Sequence, residues 1–392
     1  MKKKAIVAGH ICLDITPKFP GEKQSDLSQL LRPGKLVQMK EADIHTGGAV
    51  ANTGLAMKLL GADVSLMGKI GTDAFGNIVC NILEKYGVAG GMIRMDQEFT
   101  SYSVVLAAPG IDRIFLHNSG ANDTFCANDI SEDALQEAAL FHFGYPPLMQ
   151  CIYANDGAEL VKLFQKVKYA GCATSLDMAF PDADSEAGRV DWKKILGKVL
   201  PVTDFFFPSV EELCYMLDRP RFMQWQKRAA GRDITEILDV DKDVTPLADV
   251  CMAYGAKVLV IKCGASGMYY RTADESMLSG IGKRAELDVA AWKAKDGFEK
   301  SYVPERILSG TGAGDTSIAA FLTAMLEGES VEQCMHMAAA AGASCVSGYD
   351  ALSGLKTYDK LKQKIAAGWQ KISCIMAQLQ CPESDIAVPS DL

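Results

Sequence analysis

Short apolar runs alternate along the chain with amphipathic stretches that stop at glycine, and few folds accept that alternation. "KAIVAG" reads as a strand, "VANTGLAMKLLGAD" as a helix stopped by Gly61, and "VSLMG" as the next strand. "DAFGNIVCNILEKYGV" repeats the helix pattern and stops at Gly87. Further on, "DGAELVKLFQKVKYAG" and "SVEELCYML" read as helices, while "ATSLDMA" and "TDFFFPS" read as strands. "LADVCMAYGA" followed by "KVLVIKCG" gives another helix, glycine and strand. Strands that alternate with helices form a mostly parallel sheet covered on both faces.

Two regions break the rhythm. Residues 15–45 are too long for a simple strand-to-helix loop. Residues 98–118 alternate like an antiparallel hairpin around Pro109-Gly110. Together they predict a small β lid projecting from an α/β core made of residues 1–14, 46–97 and 119–380. Residues 281–303 are charged and irregular and read as a surface insertion. Residues 382–392 read as a poorly ordered tail.

At 392 residues the chain suits one large domain with an appendage, or two domains. Its net charge of −9 argues against nucleic acid and membrane surfaces as partners, because both need basic patches. The 12 cysteines are scattered, without a CxxC pair, as expected of reduced core thiols in a cytoplasmic protein. The basic start "MKKKAIVAGHICLDI" reads as a first strand, since Gly9, His10 and Asp14 interrupt its apolar run.

The chemistry concentrates in "LSGTGAGDTSIAAF", Leu308 to Phe321. Ile318, Phe321, Leu322 and Met325 share one helical face, which puts Gly312, Ala313, Gly314 and Asp315 at a helix N-terminus. Free amides there attract an anion. Asp315 can be read as a helix cap, or as a base that takes a proton from an attacking hydroxyl. The GxGxG spacing fits neither a GxxxxGK[ST] phosphate loop nor an N-terminal dinucleotide fingerprint. A second cluster, "HTGGAVANTG", places Gly47 and Gly48 before a helix that carries Asn52.

The stretch Gly47–Gly76 resembles the first signature of the PfkB (ribokinase-like) carbohydrate kinases, and "GTGAGDTSIAAF" resembles their second. The resemblance covers roughly residues 4–355. It implies a three-layer α/β/α sandwich with a mostly parallel sheet and a β-sheet lid. It also implies an ATP-dependent sugar kinase using Mg²⁺, with a homodimer through the lid as a family habit. Asp315 matches the catalytic base, and Gly312, Ala313 and Gly314 match the anion hole. Asp14, Gly47, Gly48 and Asn52 match sugar-binding positions, and Arg113 matches a position returning from the lid. "FFPSVEEL" resembles the PNxxE segment, so Glu212 matches the glutamate that places Mg²⁺ through water. "VIKCGASGMYY" resembles the segment beside the nucleotide, giving Lys262, Gly264 and Gly267.

Three departures stand out. Ser209 replaces the usual Asn of PNxxE. Ser309 replaces the Asp that helps hold a monovalent cation in many members, which leaves K⁺ an open question here. Ala49 stands where members acting on sugar phosphates often carry Lys, so the resemblance points to an unphosphorylated sugar such as fructose. Nucleoside or sugar-phosphate kinases, and a non-catalytic sugar-binding regulator, are the alternatives. Lys35 or Arg113 would be the phosphate ligand in the sugar-phosphate case.

Overall fold

The computed structural model describes residues 2–20, 32–108 and 114–373. Two sheets organise them. The larger has eight strands, in the order Asp296–Lys300, Gly267–Thr272, Val258–Lys262, Phe205–Phe206, Ala173–Leu176, Ala138–Gly144, Lys4–Gly9 and Asp63–Met67. The six from Val258–Lys262 to Asp63–Met67 pair in parallel. The two at the other edge are antiparallel.

Parallel strands need both faces covered, and their residues are accordingly apolar on both sides. Ala5 and Val7 face one core, with the helices Ala49–Leu59, Ala313–Leu326 and Val331–Cys345. Ile6 and Ala8 face the other, with Gln150–Tyr169, Trp192–Val199 and Val210–Leu217. The result is three layers, as the alternation predicts. Side-chain caps start several helices, for example Asp73 accepting from the Gly76 amide and Ser330 from the Gln333 amide.

The second sheet has four strands in the order Ala42–Gly47, Cys12–Pro17, Tyr102–Leu106 and Ile114–Asn118. The hairpin expected over residues 98–118 is present as the antiparallel pair Tyr102–Leu106 and Ile114–Asn118. Its turn at Pro109-Gly110 lies outside the described residues, as does Arg113. The sheet takes in Cys12–Asp14 and Thr46–Gly47, residues that the sequence assigns to the core.

Residues 281–303 differ from expectation. They are not a surface insertion but supply the edge strand Asp296–Lys300, and Trp292 is buried against Phe205 and Phe321. The strand reads as surface because its "DGFEK" pattern is polar. Its buried Glu299 is paired with the Lys371 ammonium and contacts His336 Nδ1. The tail at 382–392 lies outside the described residues. Among the described residues, no helix is long and apolar enough to cross a membrane.

Candidate active site

The helix Ala313–Leu326 begins behind Gly312, whose φ of 74° is left-handed. A side chain at Gly312 would run into Ala351, so only glycine lets the loop pack against that residue. The Ala313 amide is drawn back to the Gly310 carbonyl at 3.3 Å. The amides of Gly314 and Asp315 follow in the first turn, where an α-helix offers no carbonyl partner. They form the anion-attracting end of the helix.

Asp315 is almost completely buried there and is held from three directions. Tyr145 Oη donates to its carboxylate at 2.8 Å, Asn52 Nδ2 at 3.1 Å and Thr53 Oγ1 at 3.3 Å. Burial raises its pKa above the ordinary aspartate value, while the Lys262 ammonium and these three donors work against the rise. Asp315 is therefore not a helix cap. Its oxygens point away from the backbone, toward side chains of other elements.

Lys262 stands at the end of its strand, largely buried, with Nζ 2.7 Å from Asp177 Oδ1. Burial would strip its proton, but Asp177, Glu212 and Asp315 together outweigh that and hold it charged. The stem of Lys262 runs beside Gly314, close to the anion-attracting turn. Glu212 opens the helix Val210–Leu217 as half of a capping box. Its Oε2 accepts from the Ser209 amide at 2.7 Å, and Ser209 Oγ accepts from the Glu212 amide at 3.2 Å. Ser209, where an Asn was expected, thus has a structural use.

Two clefts meet at Asp315. One, of ≈ 750 Å³, is lined by Glu212, Lys262, Gly264, Gly267 and the turn Gly312–Asp315. Its lining also includes the apolar Met268, Tyr302, Val346 and Ile372. The other, of ≈ 980 Å³, is lined by Asp14, Gly48, Asn52, Ser103, His117 and Asp182, among others. Tyr145, Phe180, Gly312 and Asp315 line both.

Gly47 and Gly48 shape the second cleft by what they lack. A side chain at Gly47 would strike the Asp14 carboxylate, and one at Gly48, where φ is 85°, would meet His10. Asp14 itself accepts from the Cys12 thiol at 3.3 Å. Asn52, expected as a sugar ligand, is aimed at Asp315 and also borders the cleft.

Residues 9–357 match the model of the pfkB family carbohydrate kinases. The chain belongs to that family. It is a sugar kinase of the ribokinase-like fold. A ribokinase from Arabidopsis thaliana is 24% identical over 325 residues, covering 82% of this chain and 72% of the relative. A 2-dehydro-3-deoxygluconokinase from Bacillus subtilis is 22% identical over 330 residues, covering 82% of this chain and 86% of the relative. The crystal structure of a fructokinase from Xylella fastidiosa with bound ATP superposes with a TM-score of 0.67 at 17% identity, over 94% of this chain and 99% of that one.

Asp177, Tyr145 and Thr53 escape the sequence reading, although all three touch the site. Thr53 alone carried a signal, since it follows Asn52 in the same helical turn. Tyr145 sits 170 positions from the carboxylate it holds, and Asp177 sits 85 from its lysine.

Proposed function

We propose that the protein transfers the γ-phosphoryl group of ATP to a hydroxyl of a small, uncharged sugar. The observation that carries this reading is the content of the larger cleft. Asp14, Asp123, Asp182 and Asp315 line it together with His10 and His117, and among the described residues no Lys or Arg does. Such a wall repels phosphate and carboxylate groups and welcomes hydroxyl donors. The smaller cleft, with its amides, lysine and apolar lining residues, suits a nucleoside triphosphate.

In this reading Asp315 takes the proton of the acceptor hydroxyl. The freed oxygen attacks the γ-phosphorus, and the bond to the departing ADP oxygen breaks. The amides of Gly314 and Asp315 and the Lys262 ammonium receive the charge that builds on the phosphoryl oxygens. Magnesium, when bound, would neutralise the donor phosphates. Glu212 fits an indirect place for it, because one carboxylate oxygen is already committed to the Ser209 amide. Asp14 and Asn52 would hold the sugar, with Gly47 and Gly48 keeping room for it. Gly264 and Gly267 would shape the nucleotide side.

A nucleoside acceptor is the second reading, favoured by Phe115 and Phe180 in the same cleft. A homodimer joined at the lid belongs to the same proposal. Ile44 and Leu116 are exposed on the sheet face opposite Asp14, and light scattering decides it.

The test is ADP release measured across neutral sugars, polyols, nucleosides, sugar acids and hexose phosphates. Turnover with a neutral sugar is expected. Turnover confined to phosphorylated or carboxylated acceptors would overturn the reading.

A further inference from the structure

The match to the family model covers residues 9–357, and the described chain continues from there to residue 373. This further stretch folds back onto the site. Its helix, Tyr358–Ala366, is anchored by the buried Leu361 and by Lys364, whose ammonium reaches Glu305 at 2.8 Å. Gly368, with a left-handed φ of 83°, leads the chain out of the helix.

Residues 370–372 then run antiparallel to Ser301–Val303, which continue the edge strand Asp296–Lys300. The Val303 amide donates to the Gln370 carbonyl at 2.9 Å, and the Ile372 amide donates to the Ser301 carbonyl at 3.0 Å. Lys371 stands opposite Tyr302. The Ser301 amide in turn donates to the Ser266 carbonyl at 3.2 Å, in the turn between Gly264 and Gly267. Backbone hydrogen bonds thus join the added segment to the loop that borders the smaller cleft.

Two effects of this segment meet in that cleft. Ile372 lines it directly, together with Ser301 and Tyr302. Tyr302 is 3% exposed, and its ring is held by the added segment. Trp369 stacks on it with centroids 4.9 Å apart and planes 27° apart, and Lys371 Nζ lies 5.0 Å from its centroid. Trp369 is fixed by its indole N–H, which donates to the Val303 carbonyl at 2.7 Å, and Lys371 is fixed by its ion pair with Glu299. An aliphatic side chain beside an aromatic ring offers nothing to a phosphate but packs well against the flat face of a purine. The phosphates have their own partners in the Gly314 and Asp315 amides and Lys262.

We infer that the segment Trp369–Ile372 is part of the nucleotide site: Ile372 packs against the base of the bound nucleotide, and Trp369 and Lys371 are positioning residues that act through Tyr302. The inference rests on the reading of the smaller cleft as the nucleotide site, and it extends that site beyond the residues that the family model matches.

Calorimetry with ADP and with a non-hydrolysable ATP analogue, on the full chain and without sugar, tests this. Ile372→Ala should weaken both ligands about fivefold, and Ile372→Leu should recover most of the loss. Trp369→Ala should weaken them as well, with Trp369→Phe restoring the stack and the affinity. In steady-state kinetics Ile372→Ala should raise the KM for ATP and leave kcat and the acceptor KM nearly unchanged. Hydrogen exchange of the Val303 and Ile372 amides should slow when the analogue binds.

Wild-type affinity for both nucleotides in Ile372→Ala overturns the inference and leaves the reading of the cleft intact. An equal loss of ATP and acceptor affinity also overturns it, because Ile372 would then only support the fold. A wild-type chain that binds neither nucleotide overturns the reading of the cleft, and the inference falls with it.

Discussion

Tyr145 Oη lies 2.8 Å from both carboxylate oxygens of Asp315. Its side chain occupies the side of the aspartate that looks into both clefts, and it stabilises the ionised form. Tyr145→Phe removes that donor, so Asp315 should become harder to ionise. A base works only when ionised, and activity therefore climbs with pH through its titration. In the variant the acid limb of kcat against pH should move to higher pH. A limb that stays in place, or moves down, would contradict the assignment of Asp315 as the base.

Asp315→Asn keeps the size and most of the hydrogen bonds but cannot take a proton. Phosphoryl transfer should fall by roughly 10²–10⁴-fold. Acceptor binding, followed by calorimetry, should persist. Loss of binding in step with turnover would mean that the carboxylate holds the sugar rather than activating it.

Lys262 and Asp177 form a pair with side-chain exposures of 15% and 1%. Lys262→Met leaves Asp177 buried without its counter-charge, which costs about 3–5 kcal/mol when a pair of this kind is broken. Part of that cost is relieved by protonation, because burial already raises the Asp177 pKa despite the lysine. The variant should thus unfold at lower temperature at pH 8, and the deficit should shrink toward pH 5. Equal deficits at both pH values would show that the lost stability is packing, not charge.

Gly47→Ala would drive a methyl group into the Asp14 carboxylate. The acceptor KM should rise while the KM for ATP stays the same, because the displaced Asp14 lines the larger cleft and not the smaller one. A parallel rise in both would point to a general loosening of the lid.

Ser309 offers a hydroxyl where the family often carries a carboxylate, and its Oγ accepts from the Thr311 amide at 3.1 Å. Turnover is expected to be the same in potassium as in tetramethylammonium salts. Stimulation by potassium would show that the loop builds a cation site without that carboxylate.

Most of the fold was legible because it follows local rules. Apolar runs of strand length, helical periodicity and glycine stops placed the main elements from Lys4–Gly9 to Val258–Lys262. Asp315 and its glycines were legible for the same reason, since the anion-attracting turn is one continuous segment. The partners of Asp315 were not. Tyr145 reaches it through a left-handed backbone, φ 66° and ψ 47°, followed by Pro146 and Pro147, and nothing in "FGYPPL" announces that aim. The edge strand Asp296–Lys300 was missed because burial of Glu299 depends on His336 and Lys371, which lie far along the chain. Pairings across such distances leave no periodic trace.

Tyr145, Phe180, Gly312 and Asp315 form a wall common to both clefts. A wall shared by two ligands cannot yield to one without altering the room left to the other. If sugar binding draws Tyr145 off Asp315, the phosphoryl side is reshaped in the same event. The affinity change that the sugar imposes on the nucleotide must then equal the change that the nucleotide imposes on the sugar, because the two form one thermodynamic cycle.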